Sequence, residues 1–168
     1  MSNLRCSTLA AVAFLAASLT CVTARAGEPP HGPTEQKQAI AEIRNIGTAM
    51  LAWLVDHESP SGEGSRAADK GTIDVSAVPV ISHADLATLL VPLYMVVLPV
   101  NDPWGHPYEY RLHRAKLGSV PVMAIRSAGK DGKLSGPVYE VKSFPIDHLD
   151  QDLVWVDGYF ARWPEEKN

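Results

Sequence analysis

Residues 100–112 read VNDPWGHPYEYRL, and few folds can hold such a stretch. Pro103 fixes its own φ and drives Asp102 into an extended conformation, while Gly105 accepts positive φ. Asp-Pro-Trp-Gly therefore predicts a tight turn. The chain then alternates. Tyr108, Tyr110 and Leu112 fall on one face, and Glu109, Arg111 and His113 fall on the other. That period of two predicts a half-buried strand. A stiff turn feeding such a strand needs a sheet with something apolar packed on one side.

An upstream segment supplies it. Ile40, Ile43, Gly47, Met50 and Leu54 follow steps of three and four, and Ile46 and Trp53 widen the stripe. The pattern predicts one amphipathic helix over 34–57, with Thr34 as its N-cap and Met50 and Trp53 as core. Residues 59–71 are polar and glycine-containing, which predicts a mobile loop. Residues 71–81 place Val and Ile around Pro79, so any strand there is short or at an edge. Ser82-His83-Ala84-Asp85 has capping-box spacing and predicts a short helix over 84–91, ended by Pro92.

Downstream of the opening strand, a loop around KLGS leads to a second strand over 120–127. A glycine-rich turn region over 127–136 follows, and 139–150 is expected to be irregular. The clearest hairpin is LVWV, Asp157-Gly158, YFARW, because Asp-Gly between β-prone runs is favoured two-residue turn chemistry. A long helix, a short helix and a small antiparallel sheet define an α+β chain.

The N-terminus belongs to a different class of segment. Arg5, an apolar stretch over 9–22 and Ala24-Arg25-Ala26 read as an export signal over 1–26, cut before Gly27. The alternative is an uncleaved anchor, since the apolar stretch reaches about 18 residues at most, the low end for a bilayer-crossing helix. A lipoprotein signal is disfavoured by Ser18, three positions before Cys21. Residues 27–33 are a flexible Pro/Gly-rich lead-in, and 34–168 form the folded domain. Cleavage removes Cys6 and Cys21, so no disulfide staples the mature chain. It also removes Arg5 and Arg25, leaving 13 basic residues against 19 acidic ones and a net charge of −6. A mildly acidic exported domain is a poor nucleic-acid binder.

The order of these features gives the opening segment a second meaning. Leu98-Pro99, Asp102-Pro103-Trp104-Gly105, Pro107-Tyr108, Tyr110 and the Ser127-Ala128-Gly129-Lys130-Asp131-Gly132 run lie behind a long helix containing IRNIGTAMLAWLVDH. Over most of 38–133 this resembles the periplasmic domain of the major pseudopilin of type II secretion. The resemblance implies a small α+β head, a calcium ion in a C-terminal loop and copies stacked into a short periplasmic filament. By the resemblance, Asp131 matches the first calcium carboxylate, and Asp150, Gln151 and Asp152 fall where later ligands sit. Asp147 is a further oxygen donor. Such a set suits a hard cation that takes six to eight oxygens. Equally, Asp-Gly turns need no metal. The chain has no Gly-Phe-Thr-Leu-Ile-Glu-like stretch, the prepilin leader on which the filament depends.

Other chemistry leaves little trace. His83, His106, His113 and His148 are scattered and form neither HxH nor HExxH, which argues against a histidine metal site. No GxSxG, P-loop or dinucleotide-binding glycine fingerprint appears. Trp155 and Leu153 share one side of the final hairpin and Val154 and Val156 the other, so one side is a candidate interaction surface. The sequence is thus read as a non-enzymatic, periplasmic or secreted module that contacts proteins, either secretion components or its own copies. Membrane attachment would come only through an uncleaved N-terminus. The rivals are an inner-membrane-anchored pseudopilin-like subunit, and a small periplasmic enzyme or ligand-binding protein using the Asp131/His148 region.

Overall fold

The computed structural model describes residues 33–57, 71–113 and 122–165. The expected signal over 1–26, residues 27–32 of the lead-in, residues 59–70 of the predicted loop and the KLGS loop lie outside the described residues.

Helix α1 spans Pro33–His57. Its start differs from the expectation: Thr34 is inside the helix, and Pro33 takes the first turn. A first-turn proline costs no hydrogen bond, because that N–H would have no intrahelical partner, and its φ already suits a helix. Glu35 in the same turn complements the helix dipole. At the other end His57 stacks on Trp53 with centroids 5.0 Å apart, and its Nδ1 lies 2.9 Å from the Trp53 carbonyl. The predicted stripe is the buried one. Ile43, Ile46 and Met50 are fully buried, and each such side chain contributes about 1.5–3 kcal/mol relative to exposure.

The helix packs on a sheet of strands β2 (Val80–Ile81), β3 (Glu109–Leu112), β4 (Met123–Ser127), β6 (Lys142–Pro145), β7 (Leu153–Val156) and β8 (Tyr159–Glu165). Their order is β2-β3-β4-β7-β8-β6. Strand β2 is short and at the edge, as Pro79 requires. Ahead of β3, Gly105 adopts φ +90 and its N–H donates to the Asp102 carbonyl at 2.9 Å, closing the predicted turn. Tyr108, Tyr110 and Leu112 are then buried, as the alternation demands. Helix α2 (His83–Leu90) begins at the predicted box: the Asp85 N–H donates to Ser82 Oγ at 3.1 Å, and Ser82 Oγ–H returns to the Asp85 carboxylate at 2.6 Å.

Three expectations need correction. First, the sheet is mixed: β6 runs parallel to β8, from Lys142 opposite Arg162 to Pro145 opposite Glu165. Second, 139–150 is not irregular, for it contains β6 and most of β5 (Val138–Glu140). Each of these strands buries a single residue, Tyr139 or Phe144, too few to write a period into the sequence.

Third, the second face of the hairpin is not free. Strands β1 (Thr72–Asp74) and β5 pair into a separate two-stranded sheet. Its Ile73 and Tyr139, with Val75 beside them, pack on Ala124, Val154, Val156 and Ala161. Leu153 and Trp155 face the helix side instead. There Gly47 makes room for an indole: a Cβ at that position would sit 2.5 Å from the Trp155 ring.

Candidate functional site

The two strings singled out in the sequence meet at one end of the molecule. Asp102 is 4% exposed. Its Oδ1 accepts the N–H groups of Trp104 at 3.1 Å and His106 at 2.9 Å, while Oδ2 accepts the Ser127 hydroxyl at 2.6 Å. Ser127 Oγ in turn accepts the Gly129 N–H at 3.3 Å. The His106 imidazole closes the gap further along, with Nε2 3.2 Å from the Lys130 carbonyl and the ring so close to Gly132 that a Cβ would lie 2.7 Å away. One carboxylate and one imidazole therefore tie the DPWG turn to the SAGKDG turn.

The rest of the motif is structural in the same sense. Pro103 and Trp104 are half-buried, Trp104 packs on the main core, and Pro107 is exposed on the turn. Tyr108 is buried and donates its hydroxyl to Glu42 of α1 at 2.8 Å. Burial, followed by that Glu42 contact, pushes the Tyr108 pKa well above the phenol range, so it stays a donor.

The three expected metal carboxylates have different surroundings. Asp131 is exposed, and its Oδ1 accepts the Lys133 N–H at 3.0 Å. Asp150 is exposed, near Lys130, Asp147 and His148 along a depression of about 300 Å³. Asp152 is 3% exposed. Its Oδ2 accepts the Ser135 N–H at 2.9 Å and the Tyr139 hydroxyl at 2.8 Å, while its buried Oδ1 finds no partner. Among the described residues no three of His, Cys, Asp or Glu gather into a group that could hold a metal.

Asp152 also ends a buried polar chain that the sequence did not announce. Glu109 accepts from Arg126, Arg126 donates to the Gly136 carbonyl at 2.6 Å and to the Tyr139 hydroxyl at 2.8 Å, and Tyr139 donates to Asp152. Burial opposes the Arg126 charge, but Glu109 and Tyr139 outweigh it and hold the pKa above the ordinary value. Burial raises the Tyr139 pKa, with Asp152 adding to the shift.

A third feature lies just before the DPWG turn. Residues 91–100, VPLYMVVLPV, contain no charge. Leu93 (83%), Val96 (84%), Val97 (70%) and Val100 (55%) are exposed. This is no frayed loop. Leu98 is buried, its carbonyl lies 3.0 Å from His83 Nε2, and the Pro99 carbonyl accepts the Tyr110 hydroxyl at 2.5 Å. Tyr94 donates to Asp56 of α1 at 2.8 Å. The backbone is pinned from below and the aliphatic side chains stand outward. No element is expected over this run from the sequence. Its signal was ten uncharged residues, too proline-interrupted for an element and too apolar for an ordinary loop.

Of the histidines, His83 and His106 face backbone carbonyls, and His148 is exposed. Among the described residues no helix is long and apolar enough to cross a membrane. Comparison with protein-family models, with curated proteins and with solved structures gives no match for this chain.

Proposed function

We propose that this chain is a non-enzymatic, exported module with a pseudopilin-like head, and that it works by contact with another protein in the periplasm. The pinned apolar run Leu93, Val96, Val97 and Val100 carries the contact reading, since exposed aliphatic side chains concentrated in one uncharged stretch mark an interaction site. The direct bond between Asp102 and Ser127 supports the head-like reading, because it joins the two strings on which the resemblance rests.

A photo-crosslinking residue placed at Val96 should capture a defined protein in the cell, and one placed at exposed Lys133 should not. Val96→Asp with Val97→Asp should abolish capture without moving the melting temperature. Equal labelling from both positions would remove the contact reading. An intact mass beginning at Gly27 in the periplasmic fraction fits a free module. A full-length mass in the inner membrane would replace it with the anchored subunit.

Calcium belongs to the same proposal. The orphaned Asp152 Oδ1 is the donor that supports it; Asp131 and Asp150, the other carboxylates the resemblance implies, would have to move to join it, since the three form no metal-holding group in this structure. When bound, the ion would order these turns through oxygen ligation. Saturating calcium, about a hundredfold above its Kd, should raise the melting temperature by roughly 5–10 °C, reversed by chelator. Asp152→Asn should remove the shift, and an unshifted wild type would rule the ion out.

A further inference from the structure

On the opposite side of the helix from the tyrosine contacts lies a cleft of about 420 Å³, bounded by the start of α1, strand β8 and the turn after β6. That is within the size range of small-ligand sites. Its apolar walls are Ile40, Ile146, Phe160 and Trp163, all half-buried, with Pro164 buried. Two cations, Lys37 and Arg44, stand at its lip, and none of its described lining residues is a carboxylate. Their spacing of seven residues puts both on the face of α1 that carries Ile40, about 10 Å apart along the axis. The Arg44 guanidinium sits over the Phe160 ring, 5.9 Å from its centroid. Neither cation has a carboxylate partner among the described residues. In a chain of net charge −4, two cations and no carboxylate among the described lining residues make this cleft locally basic.

We propose that this cleft binds a small carboxylate with a flat apolar body, such as an aryl-alkanoic acid. The ring of the ligand fills the slot between Ile40, Phe160 and Trp163. Its carboxylate takes the planar fork of Arg44, which stacking on Phe160 already orients, and Lys37 adds attractive field. The same chemistry is presented by a free acid and by the C-terminal phenylalanine of a peptide. The site is independent of the apolar run and of Asp152.

The test is a chemical-shift titration of the folded protein with 4-phenylbutyrate, against 4-phenylbutanamide, which matches its shape without the charge. Shifts should centre on Lys37, Arg44, Phe160 and the Trp163 indole, and the acid should bind at least about tenfold more tightly than the amide. The double variant Lys37→Gln, Arg44→Gln should erase that preference and leave the amide unaffected. Because the acid–amide comparison is made in wild type, it stands even if the variant folds poorly. An N-acetylated dipeptide ending in Phe identifies the source: tighter binding than the free acid points to a chain end, weaker binding to a small molecule. Equal affinity for acid and amide, shifts centred elsewhere, or no shifts at roughly 5 mM would overturn the proposal.

Discussion

At the scale of single residues, Asp102 is a buried carboxylate that ties two turns together. It satisfies two backbone donors in its own turn and one hydroxyl from β4. Asp102→Ala leaves those donors without partners in a buried site, and should cost about 2–4 kcal/mol in urea unfolding. Asp102→Asn retains an acceptor toward the turn and should cost less than the alanine. The turn itself was legible, because Pro103 and Gly105 declare their backbone preferences locally. The contact with Ser127 was not, since it joins positions 25 apart and no local preference encodes it. The same holds for His106, whose packing on Gly132 depends on the tertiary approach of two turns.

Among the elements, the β7–β8 hairpin combines a readable turn with an unexpected charge. Asp157 and Gly158 take φ +44 and +108, as the Asp-Gly pair predicts. The Asp157 carboxylate, however, turns back to accept the N–H groups of Val122 at 3.0 Å and Met123 at 2.9 Å. Burial raises its pKa, and these two hydrogen bonds work against the rise without cancelling it. A carboxyl raised in the folded state favours the protonated form there. Its contribution to stability is therefore complete below its ordinary value of 3.8 and is lost as pH climbs through the raised one. Asp157→Asn keeps an acceptor and tolerates positive φ, so it should flatten the stability profile across that acid window. At pH 7 it should equal the parent or exceed it by up to about 0.5 kcal/mol, measured by denaturant titration at several pH values. The helices were legible because α1 writes a long stripe and α2 writes a capping box. Strands β5 and β6 were not, because an inward-facing residue per strand leaves no pattern to find.

At the scale of the whole molecule, the described residues form two helices, a mixed sheet and a small rear sheet. The chain Glu109–Arg126–Tyr139–Asp152 links the rear sheet to the main one through Tyr139 of β5. Tyr139→Phe removes the shared hydroxyl and leaves buried Arg126 and Asp152 each short of a partner. A loss of about 1–3 kcal/mol should follow, and amide exchange should speed up together in β1 and β5, the two strands of one cooperative unit. The α+β class was legible from the order of helix and strand signals. The rear sheet was not, because β1 and β5 are distant in sequence, and of their three cross-strand pairs only Ile73 and Tyr139 are buried. The candidate site divides in the same way: Asp131, Asp150 and Asp152 could be named in advance, but the burial that singles out Asp152 could not.

The strand order of the main sheet limits how copies of this protein can associate. One margin is β2, two residues long, and the other is β6, which opens on Lys142 and closes on Pro145. Neither offers the long, flat row of free amides and carbonyls that templates a neighbouring chain. The hairpin, with the strongest β-forming sequence, is enclosed between β4 and β6. Among the described residues, self-association by extension of the main sheet, the route to amyloid-like polymers, therefore has no long ladder to start from. An ordered polymer built along the main sheet would depend on side chains, and could be reshaped by surface substitution without disturbing that sheet.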